Sequence, residues 1–147
     1  VKAVISTPGQ KINYTFAAKA GRHVTFQVSR FNLSNGGSGG SAYLYFYEPG
    51  SSSSYTYCYF SSNTYCDFTP PVGGTWSVSL VPYSASVGSL TLTFANDVPT
   101  QALTSGTPAG TTIRFQGQNA RYTFAATAQG HVTFDVTQFN FSNGASG

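Results

Sequence analysis

At 147 residues, with 16% aromatic, only 7% charged and no methionine, the chain can hold an ordinary domain with a sizeable core, and its uncharged polar composition is usual in secreted proteins. The formal charge of +3 is spread thinly: residues 31 to 113 contain no Lys or Arg, which argues against a phosphate-binding surface and against nucleic acid as a partner. No 18-residue apolar run exists for membrane insertion, and the opening VKAVISTPGQ reads as the start of a mature or interior fragment.

Apolar and polar residues alternate almost everywhere, the period of half-buried strands, and no window shows a helical stripe. In chain order, strands are predicted near residues 3 to 6, 12 to 18, 23 to 30, 42 to 48, 55 to 60, 64 to 69, 75 to 82 and 88 to 95. In the second, Tyr14 and Phe16 alternate. In the third, Val24, Phe26 and Val28 share a face, and after Val28 the phase slips so that Phe31 and Leu33 continue on the other parity, the mark of a bulge or bend. In the fourth, Leu44 and Phe46 have core parity, which turns Tyr43, Tyr45 and Tyr47 outward; in the fifth, Tyr55, Tyr57 and Tyr59 again share one parity. Trp76, Val78 and Leu80 form the apolar face of the seventh, and Leu90, Leu92 and Phe94 that of the eighth. Eight such strands predict an antiparallel β-sandwich of jelly-roll type. Asn-Gly and Pro-Gly mark loops at 34 to 41 and 48 to 54, and residues 97 to 108 form a linker in which QALTS is suited to a short edge strand.

The chain then repeats itself. At an offset of 108, residues 14 to 39 match 122 to 147 at 18 of 26 positions, and Ile5/Ile113, Gly9/Gly117 and Gln10/Gln118 extend the match upstream. The expected organisation is a complete unit at 1 to 96, the linker, and the first third of a second unit at 109 to 147. Lys11, Lys19, Arg22 and Arg30 become Asn119, Thr127, Gly130 and Gln138, so their charges are not part of what is repeated.

The stretches PGQKINYTFAAKAGRHVTFQV, AYLYFYEPG, PPVGGTWSVSLVP and GSLTLTFANDVP, followed by GQNARYTFAATA, resemble the repeated β-domains of large secreted and cell-surface bacterial proteins. Those domains are similar to the pre-peptidase C-terminal jelly-roll family. The resemblance spans the chain and implies a fold of tandem jelly-roll modules. Tyr43 and Tyr45 stand where small polar residues are commoner in that family.

Catalytic chemistry finds little support. His23 and His131 occupy one position in two copies, and no nucleophile or carboxylate repeats beside them, so a structural or solvated role is expected. Glu48, Asp67, Asp97 and Asp135 are the only carboxylates, too few for a glycosidase pair with its support or for a calcium cage; no metal or cofactor is expected. Cys58 and Cys66 flank YFSSNTY symmetrically about Ser62, which predicts a disulfide across a hairpin and an oxidising compartment. The two tyrosine sets, Tyr43, Tyr45, Tyr47 and Tyr55, Tyr57, Tyr59, form a flat aromatic patch if their strands are neighbours, suited to stacking on sugars or packing on another subunit. The competing expectation is cross-strand pairing that merely stabilises the sheet. The resulting expectation is a non-catalytic, secreted or cell-surface module with a structural or adhesive role, associating with itself in a stalk, sheath or filament. The alternative is a carbohydrate-binding accessory module of a secreted hydrolase, with polysaccharide as the partner.

Overall fold

The structure, a computed structural model, describes residues 1 to 141. Those residues are all β, without helix: β1 (Lys2–Ile5), β2 (Ile12–Ala18), β3 (Val24–Asn35), β4 (Ser38–Gly39), β5 (Ala42–Tyr47), β6 (Ser54–Phe60), β7 (Thr64–Phe68), β8 (Gly74–Pro82), β9 (Val87–Asn96), β10 (Gln101–Leu103) and β11 (Tyr122–Phe124). The strands beyond the eight expected are the two-residue β4 and the pair β10 and β11. Residues 142 to 147, SNGASG, which match the 34 to 39 loop in sequence, lie outside the described residues.

Two antiparallel sheets face each other. The first has the order β1-β9-β3, with β7 and β4 also pairing β3; the second has the order β2-β8-β5-β6. The alternation read from the sequence explains what lies between them. Ile5, Phe26, Val28, Leu90 and Leu92 project from the first sheet, and Phe16, Leu44, Phe46, Trp76, Val78 and Leu80 from the second, and all are buried. Aromatic rings cross the interface in sequence: Phe16 to Phe26 at 4.9 Å, Phe26 to Phe46 at 4.9 Å, Phe46 to Phe68 at 4.9 Å and Phe68 to Trp76 at 5.4 Å. Tilted and edge-to-face contacts of this kind add to the gain from area burial alone. The Trp76 indole N–H donates to the Val72 carbonyl at 3.1 Å, so this buried ring leaves no polar atom unpaired.

The phase slip in β3 is a register shift against β9 between Ser29 and Asn32, with Arg30 at φ 50°. There the two backbones approach so closely that a Cβ on Gly88, at φ 133°, would lie 2.1 Å from the Asn32 carbonyl oxygen. Only glycine fits.

Cys58 and Cys66 are bonded, but not across a hairpin. β6 is the last strand of the second sheet and β7 pairs β3 in the first, so the chain crosses from sheet to sheet at Ser61–Asn63 and the disulfide ties their edges together. Symmetric spacing about a turn is common to both arrangements; the long-range pairing of β7 with β3 decides between them.

At several matched positions residues 109 to 141 and residues 1 to 33 share local geometry, although only a three-residue strand forms in the later segment. Gly9 and Gly117 have φ 76° and 78°, and Arg30 and Gln138 have φ 50° and 54°. The Gln10 side chain accepts from the Ser6 amide at 2.7 Å, as Gln118 does from the Arg114 amide at 2.9 Å. Phe124 and Phe134 meet at 5.0 Å and 75°, as Phe16 and Phe26 do at 4.9 Å and 75°. What differs is exposure: Phe134 is 56% and Phe139 73% exposed, whereas Phe26 is 2%. Within residues 109 to 141 only Tyr122–Phe124 is paired as a strand, in parallel with β10.

Candidate binding surface

β5 and β6 are neighbours, and their register sets Tyr43 opposite Tyr59 and Tyr45 opposite Tyr57. Because directly paired residues point to the same face, these four rings lie together on the outer face of the second sheet. Tyr43 stacks on Tyr45 at 5.4 Å and 27°, and meets Tyr59 at 5.1 Å and Tyr57 at 5.9 Å. Tyr57 and Tyr59 are well exposed, Tyr43 and Tyr45 partly covered by them. Tyr47 also has outward parity, opposite Ser77.

Tyr55 is not a member of the ladder. The register shifts between Phe46 and Tyr47, so Tyr47 pairs Ser54 and Tyr55 falls in the irregularity. Its ring packs against Trp76 at 5.5 Å and Phe68 at 6.1 Å, at the rim of the core. In its place the structure adds Tyr83, which follows β8 and lies 6.1 Å from Tyr43 and 6.4 Å from Tyr59. No local pattern in the sequence announces Tyr83, because only the pairing of β8 with β5 brings it there.

The surface is uncharged: β2, β5, β6 and β8 contain no Asp, Glu, Lys or Arg. Its rings are not coplanar. Angles of 55° to 90° separate Tyr43 from Tyr59 and Tyr57, and Tyr59 from Tyr83, so the tyrosines form a knobbed cluster rather than a level platform. Desolvation, with the adjoining phenols of Tyr45, Tyr83, Tyr59 and Tyr57, raises the Tyr43 pKa above its ordinary value of 10.0. Burial raises that of Tyr14. A phenol whose pKa is raised by folding holds its proton more tightly in the folded state, so its contribution is intact below pH 10 and is lost as pH climbs through the folded value. Ultraviolet titration of the phenolates is expected to show a late-ionising class that Tyr43→Phe reduces, with stability declining over the same alkaline range.

A second cluster lies where the linker meets the first sheet. His23 bridges two carboxylates, with Nδ1 2.8 Å from Asp97 Oδ1 and Nε2 3.2 Å from Asp67 Oδ2. An imidazolium can donate to both, a neutral ring to one only. Asp97 also accepts from the Asn119 amide at 2.9 Å, and Arg121 Nε lies 4.0 Å from its other oxygen. Thr25, fully buried, donates to the Gln116 carbonyl at 2.9 Å. These contacts seat the Phe115–Asn119 turn on the first sheet. A Cβ on Gly117 would lie 2.6 Å from both Thr25 Oγ1 and Tyr65 Cδ2, so the seat requires glycine. The sequence, read along its length, separates His23 from its two acids by tens of residues and does not reveal the cluster. His131, the repeat counterpart, faces Thr133 instead, at 3.4 Å. Among the described residues no group of His, Cys, Asp and Glu is arranged to hold a metal, and no helix is long and apolar enough to cross a membrane.

No family model and no curated protein matches the chain. Among solved structures it is similar to PliG of Aeromonas hydrophila, a periplasmic lysozyme inhibitor of g-type lysozyme, with TM-score 0.46 and 19% identity over 65% of this chain and 83% of that one. The expected stalk, sheath or filament module is corrected by this comparison, since the matched protein has a different role. At this degree of likeness nothing of that protein's activity is carried over to this chain.

Proposed function

We propose that the chain is a non-catalytic, secreted or cell-surface protein that binds another protein through the tyrosine face of its second sheet. The observation that carries this reading is the uncharged, non-coplanar cluster of Tyr43, Tyr45, Tyr57, Tyr59 and Tyr83 on an exposed sheet face, flanked by Ser77 and Ser79. Tyrosine supplies large, amphipathic contact area at low entropic cost, and serine supplies adaptable hydrogen bonds; protein-recognition surfaces use the same combination. A polysaccharide surface favours rings lying in one plane; here Tyr43 and Tyr45 lie within 27° of each other, but Tyr59 and Tyr83 stand at 55° and 64° to Tyr43. The Cys58–Cys66 disulfide supports an oxidising location.

Two further parts of the reading concern organisation. The sheet orders β1-β9-β3-β7 and β2-β8-β5-β6 support a jelly roll, in which the chain passes repeatedly from one sheet to the other and the β5–β6 hairpin stays within one. The shared φ values, turn bonds and Phe–Phe geometry of residues 1 to 33 and 109 to 141 support a second unit of the same kind, consistent with the resemblance to tandem bacterial jelly-roll modules.

Crosslinking of the purified chain to extracytoplasmic proteins of its source, with identification by mass spectrometry, tests the binding role. The Tyr45→Ser, Tyr57→Ser double variant is expected to weaken association with the identified protein by at least ~10-fold, as loss of interface anchors does. Its melting temperature should be nearly unchanged, and Tyr65→Ser, on the other sheet, should bind normally. Undiminished association in the double variant, or co-sedimentation with polysaccharide that the double variant abolishes, overturns the proposal.

A further inference from the structure

The second sheet ends at β2, whose outer edge has no strand partner among the described residues. In the repeated segment the equivalent edge is occupied. β11, equivalent to Tyr14–Phe16, pairs in parallel with β10 in the register Gln101 with Tyr122, Ala102 with Thr123 and Leu103 with Phe124. The Gln101 amide donates to the Arg121 carbonyl at 3.1 Å and the Val98 amide to the Asn119 carbonyl at 2.9 Å. Arg121 and Asn119 correspond to Asn13 and Lys11. The Tyr83 amide donates to the Ser41 carbonyl at 2.9 Å, so the odd-numbered residues of β8 bond β5 and its even-numbered ones bond Ile12, Tyr14 and Phe16, which leaves the backbone groups of Lys11, Asn13 and Thr15 facing outward from β2.

We infer that this outer edge is a docking site for a segment of sequence VPTQALTS, a second copy of residues 98 to 105, added to the sheet as a parallel strand. Three observations carry it. The turn before each strand has the same shape, with Gly9 and Gly117 at φ 76° and 78° and matching Gln10 and Gln118 bonds, so the two edges present their donors and acceptors alike. β2, of sequence INYTFAA, lacks the charges and prolines with which exposed edges are usually protected from pairing. Leu103 pairs Phe124, the counterpart of buried Phe16, so a docked leucine extends the core at the rim of the sandwich while the backbone completes its ladder.

The inference rests on the 108-residue equivalence and is independent of the tyrosine face. Its test is the full chain with a copy of residues 98 to 108 placed directly before Val1, the spacing at which β10 precedes residue 109. Hydrogen exchange at the Thr15 amide, the counterpart of Thr123, is expected to slow at least ~10-fold relative to the unextended chain, since this edge amide passes from solvent to a ladder. Tyr57 and Tyr59, in the edge strand at the far end of the sheet, should be unaffected. Leu103→Pro within the added copy removes a ladder donor and should reverse the slowing. No slowing at Thr15, or the same slowing with the proline variant, overturns the inference. Thr123 serves as the internal reference: its protection in the unextended chain reports β10 on β11, and absence of that protection overturns the equivalence itself.

Discussion

Trp76→Ala is expected to cost about 3 to 5 kcal/mol and to lower the melting temperature by on the order of 10 to 20 °C. The indole is 0% exposed, at the point where Phe16, Phe68 and Tyr55 converge on β8. Truncation removes its whole buried surface and leaves a void that Phe16 and Phe68 can fill only by leaving their contacts with Phe26 and Phe46. It also removes the bond from the indole N–H to the Val72 carbonyl, which holds the loop before β8. Against a total stability of about 5 to 15 kcal/mol, such a loss brings the fold near its limit. Thermal denaturation checks the expectation, with Trp76→Phe as the milder comparison that keeps an aromatic ring but loses the Val72 bond. A cost below about 1 kcal/mol for the alanine variant would show that the two sheets do not depend on this contact.

The parts of the architecture visible in the sequence are those set by local period. In AYLYFY the alternation places Leu44 and Phe46 inward and Tyr43 and Tyr45 outward without any knowledge of the partner strands, because a pleated strand admits only two faces. The slip after Val28 is visible for the same reason, since a bulge changes the parity of everything beyond it. The errors share a different cause. Tyr55 obeys the parity of Tyr57 and Tyr59 in the sequence, yet the irregularity opposite Tyr47 lies in how β6 pairs β5, and turns its ring towards Trp76. Tyr83 joins the tyrosine face and Asp67 and Asp97 reach His23 through strand order alone, which local alternation does not encode. The duplication of sequence, by contrast, is visible without any structure, and the matched positions that share geometry are turns and ring contacts that need no distant partner. The burial of its faces, which does need one, differs between the copies.

Replacing both cysteines, as Cys58→Ala with Cys66→Ala, is expected to cost about 2 to 3 kcal/mol, the loop-closure entropy of a bridge between residues 8 apart. The consequence should be local as well as global, because of which strands the bond joins. β7 has one strand neighbour, β3, and β6 has one, β5, so each is the most weakly held side of its sheet at that end of the sandwich. With the bond in place, fraying of either edge is opposed by the other sheet. Without it, β7 is held by its ladder to Val24–Val28 and by buried Cys66, now an alanine with less to bury. Amide exchange is therefore expected to accelerate most over Thr64–Phe68 and Tyr57–Phe60, and much less over β8 and β9, which have strands on both sides. A hairpin disulfide would give a different result, since two strands already paired to each other lose little local protection when a bond between them is removed. Uniform acceleration across both sheets, or a melting temperature unchanged by the double substitution, would show that the bond does not act as a clasp between sheet edges. The same loosening reaches the proposed binding face through β6, which carries Tyr57 and Tyr59: a reduced or cysteine-free chain should bind a protein captured by that face more weakly even at temperatures where the fold remains intact.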